Sequence, residues 1–280
     1  MKAKALDLVV WLRRHVPRPL LPLLVAMRFK VAWATKGVRA DARTQMSFLL
    51  ERARPDADIE RAARAYVRGQ MWRGEARWHP EMLTNRRIVG LEHLQAARDL
   101  GRGVMLNFMH HGAYEGAFGS LGRRGVQLHM VVYPYMTRPD APRWLRQHMS
   151  VACAGGGQAI SAEIGTQGII ELLNQGKVVA LASDVPGRTP LRFVDREVMG
   201  SFGAARIAAD AGSPVVVLTS ESDERGPFVR LHERLEPKDF ASPKDLLQEM
   251  VTRHERVHLQ WPEHTDLPLS RWGSVEAAGD

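Results

Sequence analysis

The stretch His110-His111-Gly112-Ala113-Tyr114-Glu115 puts a base and a carboxylate within reach of each other. A neutral imidazole can take a proton from a hydroxyl. A carboxylate on its other ring nitrogen fixes the tautomer and stabilises the imidazolium that forms. His110 and Glu115 supply these two groups, as general base and partner. Five residues apart, they would sit well off a common face of one continuous helix. They meet if His110 closes a strand and Glu115 opens the next helix, with Gly112 giving the turn its backbone freedom. The bland alternative is that His110 is a hydrogen-bonded turn residue.

The elements needed to position that pair are present. Residues 103–109, Gly-Val-Met-Leu-Asn-Phe-Met, form a short apolar run that reads as a buried strand ending just before His110. In open α/β sheets ligands gather at the carboxyl ends of strands. Further strand-like runs cover 128–133, 178–183, 215–220 and 228–231. Helical stretches near 114–120, 142–149, 161–175 and 201–211 separate them, and helices over 56–72 and 91–100 come earlier. Strands alternating with helices predict an α/β fold with a mixed, largely parallel sheet flanked by helices.

The 280 residues carry 39 Lys and Arg against 31 Asp and Glu, a formal net charge of +8. Such a balance suits nucleic acid or an anionic membrane. No helix-turn-helix, zinc-finger or RNP-type motif is present, so no nucleic-acid partner is expected. Apolar runs at 6–12 and 20–27 are too short to span a bilayer. Trp11, Leu12, Leu20, Leu23 and Leu24 stand among Arg13, Arg14, Arg18, Arg28 and Lys30, the composition of amphipathic helices at a headgroup boundary. The chain is therefore expected to divide into a membrane-associating helical segment, 1–45, and an α/β domain, 46–280. Two core helices of a soluble domain are the other reading of that segment. The single Cys153 allows no internal disulfide and has no local base beside it.

Three segments, Gly90-Leu91-Glu92-His93-Leu94, Gly101-Arg102-Gly103-Val104 and His110 to Glu115, resemble, in order and spacing, the lipid A late acyltransferases. These are lauroyl- and myristoyl-transferase-like members of the HX4D/E glycerolipid acyltransferases. The likeness continues through 176–184, which ends in Asp184, and through 191–208 and 212–216. The chain departs from the pattern at Val185-Pro186-Gly187, where Gln often follows the Asp, and in its short, charge-broken start. The resemblance implies acyl transfer from an acyl carrier protein or coenzyme A thioester to a hydroxyl or amine of a lipid. It implies His110 and Glu115 as the catalytic dyad and no cofactor beyond the thioester co-substrate. It also implies work at the cytoplasmic face of a bacterial inner membrane, on an anionic lipid surface. An Arg near 138–146 is expected to bind substrate or steady the oxyanion, with Arg143 and Arg146 as candidates. Tyr114 supplies the aromatic that precedes the family's Glu, and is expected beside substrate. Asp184 either lines a substrate pocket or caps the next turn. No metal is expected, because zinc-ligand spacings are absent. A hydrolase using the same dyad, and a membrane-surface binding protein without catalysis, are the rival readings.

Overall fold

The computed structural model describes residues 2–272, with side chains from residue 9 onward. Four helices open the chain: α1 (Lys2–His15), α2 (Leu21–Ala34), α3 (Lys36–Leu50) and α4 (Ile59–Ala76). The Asp58 side chain caps α4 by accepting from the Arg61 amide, and Ala63, Tyr66 and Val67 form its buried stripe. Then strands and helices alternate: β1 (Arg87–Val89), α5 (Leu91–Arg98), β2 (Val104–Phe108), α6 (Tyr114–Gly122), β3 (Leu128–Val132), α7 (Arg143–Ala152), β4 (Gln158–Ser161), α8 (Gly165–Asn174) and β5 (Val178–Ala182). A hairpin of β6 (Thr189–Phe193) and β7 (Arg196–Gly200) follows. The chain continues through α9 (Gly203–Asp210), β8 (Val215–Asp223), β9 (Gly226–Leu231), α10 (Pro243–Gln260) and α11 (Pro268–Trp272).

The main sheet has seven strands in the order β1-β9-β8-β2-β5-β3-β4. Every pairing is parallel except β8 with β9. Residue parity explains the two cores. Met105, Val179, Val215 and Val217 face one side, against α3, α9 and α10. Val104, Leu106, Val178, Ala180, Val216 and Leu218 face the other, against α5 and α6. The central strand β2 is buried along its whole length, as a parallel strand covered on both faces should be. The five strand-like runs and six helical stretches expected from sequence all appear.

The N-terminal segment departs from expectation. Helix α2 is not amphipathic: Leu21 and Val25 face inward, yet Leu23, Met27 and Val31 face solvent. Arg13 is engaged within the fold. It donates to both carboxylate oxygens of buried Glu75, at 2.9 and 3.1 Å, and Arg28 pairs with the same carboxylate. Arg14 donates to Gln147 of α7 at 2.8 Å. The division expected at residue 45 falls inside α3, whose Ala42, Met46 and Leu49 share the core beneath the sheet. Among the described residues no helix is long and apolar enough to cross a membrane.

Candidate active site

Strand β2 ends two residues before His110, and the loop 109–113 then turns into α6. Gly112 makes that turn possible. Its φ is 64°, and a Cβ there would lie 2.6 Å from the Ser220 side chain. Three loop amides are engaged: His110 N donates to Asp184 Oδ2, His111 N to the Met109 carbonyl and Gly112 N to the His264 carbonyl.

Asp184 lies just beyond β5, the parallel neighbour of β2, so the two strand ends bring it to His110. Its Oδ1 is 2.8 Å from His110 Nδ1. Burial pushes the Asp184 carboxyl up. The charge and hydrogen bonds of His110, with Arg271 nearby, outweigh that and hold it below the usual range. An ionised carboxylate only accepts, so Nδ1 carries the hydrogen and donates. No described residue hydrogen-bonds to Nε2. With Nδ1 so engaged, Nε2 is the ring nitrogen on the side away from Asp184.

His110 borders a cavity of about 250 Å³. Its other walls are mainly apolar: Phe118 of α6, Met130 and Val132 of β3, Met149 and Ala152 of α7, Ile169 of α8 and Leu181 of β5. Tyr114 lies in the same wall, its ring edge-on to His110 with centroids 4.7 Å apart. Tyr133, also in that wall, and Tyr135 are exposed.

Glu115 takes a different place from the one expected. It is wholly buried in the first turn of α6, where it accepts from Arg77 Nε at 2.7 Å and lies 3.8 Å from His148 Nδ1. Tyr114 packs against the imidazole, and the next residue along the helix points toward α4 and α7 instead. Burial raises the Glu115 carboxyl, but His148 and Arg77 prevail and hold it well below its ordinary value. The carboxylate hydrogen-bonded to His110 is therefore that of Asp184. Arg143 and Arg146 also lie elsewhere, along a shallow cleft between α1 and α7 with Val10, Arg14 and Trp78. Arg146 donates to the Pro139 carbonyl.

Three residues not singled out from sequence lock the loop. Asp266 donates its amide to the His110 carbonyl at 2.9 Å. Its carboxylate pairs with Arg73 of α4 and with Arg271 of α11, the latter at 2.6 Å. Arg73 also donates to the Gly112 carbonyl, and Arg271 Nε lies 3.8 Å from Asp184. Burial raises the Asp266 carboxyl, and the two arginines bring it far down.

Beneath the loop lie three buried histidines. His111 Nε2 donates to the Trp261 carbonyl, His254 meets Asn107 Oδ1 at 3.1 Å, and His258 meets Thr265 Oγ1 at 3.0 Å. Burial lowers all three, His111 and His254 to about 3. His111 is thus a packed neutral residue with its ring turned from the cavity.

No protein-family model and no curated protein matches the chain. Among solved structures it is similar to the 1-acyl-sn-glycerophosphate (LPA) acyltransferase, PlsC, from Thermotoga maritima. That alignment has a TM-score of 0.40 and 15% identity, and covers 85% of this chain and 95% of the other.

Proposed function

We propose that this chain is an acyltransferase that moves an acyl group from a thioester to a hydroxyl or amine of a lipid. One observation carries the reading: an imidazole, oriented by a buried carboxylate, faces a cavity walled mainly by apolar side chains. The acyl chain lies in that cavity with its carbonyl near His110 Nε2. Nε2 takes the proton from the acceptor, whose oxygen or nitrogen bonds to the carbonyl carbon. The carbon–sulfur bond then breaks, and His110 returns the proton to the departing thiolate. Asp184 stabilises the imidazolium between those steps. Glu115, in the HX4E spacing of the lipid A late acyltransferases, holds the base of α6 through Arg77 and His148. The finer reading, a lipid A-type acceptor with an acyl carrier protein or coenzyme A donor, is supported by the ordered motifs at 90–115 and 176–216. No step calls on a cofactor or metal.

Docking on an anionic membrane belongs to the same reading, because both acyl chain and acceptor partition into lipid. The exposed Leu20, Leu23, Met27 and Val31 follow helical spacing on one side of the α2 region, with Trp11 and Leu12 exposed on α1.

The test is transfer of a labelled acyl group from a long-chain thioester, with and without a lipid acceptor, by the parent chain and by His110→Ala. Acceptor-dependent product and a roughly 10²–10⁴-fold loss in the variant are expected. Free fatty acid formed at the same rate without acceptor would make the protein a hydrolase instead. Undiminished turnover by folded His110→Ala would remove the mechanism.

A further inference from the structure

A second cavity, also about 250 Å³, lies on the other side of the 110–115 loop and shares no lining residue with the first. Gln70 and Arg73 of α4, Arg86, Gly112, Ser222 and His264 are among its walls. Arg86 is the odd residue. Its backbone amide donates to Ser120 Oγ, but its buried Nε has no partner, and among the described residues no carboxylate lies within ion-pair reach of its guanidinium. Burial lowers it, with only Glu115 acting against that. A desolvated guanidinium without a counter-ion is costly, and proteins keep charges buried where they are paired. Two further groups converge on the same space. His264 is lowered by burial and by both Arg73 and Arg86, while Glu263 opposes them. Arg73 is matched by Asp266, and Glu221 of the same wall by Arg230 and Arg256, which leaves Arg86 and Glu263 as the cavity's charges without an ion pair among the described residues.

We propose that this cavity binds a phosphate ester, its phosphate on Arg86 with Arg73 and His264 alongside, and its hydroxyl-bearing remainder toward Ser222 and Glu263. A guanidinium fork matches two phosphate oxygens. Donors approaching from three elements suit a tetrahedral group with three free oxygens better than a planar carboxylate. Ser222 and Glu263 offer an acceptor or hydroxyl contact that free phosphate would not use. Trp72, part exposed in the same wall, gives a flat apolar surface for the remainder. The site does not depend on the acyl-transfer reading, since His110 lies outside it.

Calorimetric titration of the full chain tests the proposal, with β-glycerophosphate, inorganic phosphate, glycerol and acetate as separate ligands. β-Glycerophosphate should bind saturably, at least threefold tighter than inorganic phosphate, and glycerol should not bind. Arg86→Gln should weaken binding tenfold or more while its melting temperature holds or rises, because an unpaired buried charge is removed. Glu263→Gln, at a part-exposed position, should narrow the preference for the ester over inorganic phosphate, and His110→Ala should leave binding unchanged. Equal affinity for the ester in Arg86→Gln, acetate binding as tightly as the ester, or no saturable binding to the parent chain would each overturn the assignment.

Discussion

His110 can accept a proton only while Nδ1 keeps its hydrogen, and Asp184 enforces that. In Asp184→Asn the amide can present its NH₂ to Nδ1 and favour the wrong tautomer, so turnover should fall roughly 10²–10⁴-fold. Glu115→Gln should behave differently. It leaves the half-buried Arg77 guanidinium facing an amide, which should cost about 3 kcal/mol of stability, with a smaller loss of turnover per folded molecule. Melting curves and kcat on the same preparations separate the two. If Glu115→Gln melts like the parent and loses as much kcat as Asp184→Asn, Glu115 belongs to the chemistry. The histidine was legible because its strand and turn are local. Its carboxylate partner was not, because Asp184 is 74 residues away and reaches it only through β2–β5 pairing. Local spacing favoured Glu115, whose side chain the first turn of α6 sends the other way. Asp266 and Arg271 were hidden for the same reason as Asp184, being remote in sequence and ordinary in type.

At the scale of elements, the buried strands were readable and the exposed ones were not. β2, β5 and β8 are apolar on both faces and announce themselves. β1 and β4 are short and part exposed, so they carry no run. The β6–β7 hairpin turns at Val194 and Asp195, both with positive φ, where sequence would call for Asn or Gly. Val194 accepts that conformation while wholly buried, with its amide donating to Glu255. The N-terminal helices yield a sharper prediction than truncation would. Removing them strips Arg13 and Arg28 from buried Glu75, leaving an unpaired carboxylate, so a deletion should lower stability whatever its effect on lipid. Substituting Leu23, Met27 and Val31 together with Ser leaves those pairs intact. Binding to anionic vesicles should then weaken at least tenfold at high salt, where the apolar contribution dominates and charge is screened. Unchanged co-sedimentation of this variant would show that α2 is not the docking face.

For the molecule as a whole, acid is the stress that the buried groups set. His111 and His254 are held at about 3 and His258 also far below normal, while an unfolded histidine titrates near 6.5. Their folded values are depressed, so the unfolded state binds more protons as pH falls below about 6.5, and stability declines from there. At pH 5 each histidine costs on the order of 2 kcal/mol. The depressed carboxyls of Asp184, Glu115 and Asp266 add a second decline below about pH 5, where unfolded carboxylates begin to protonate. The melting temperature should therefore drop steeply between pH 7 and 5. His254→Gln, whose amide can still donate to Asn107, should make that slope measurably shallower. A flat profile from pH 7 to 5 in the parent chain would mean that these histidines are not held neutral.

The clamp on the 109–113 loop also has a consequence for how the protein is made. His110, Asp184 and the whole parallel core through β5 are synthesised well before Asp266 and Arg271. At about 5–20 residues per second, the loop spends several seconds on the ribosome without its lock. During that interval Arg73 has no Asp266 to meet, and the His110 carbonyl lacks its amide donor. A nascent chain stalled near residue 240 should bury the apolar strands and yet show no turnover, while release past residue 272 should switch activity on in one step.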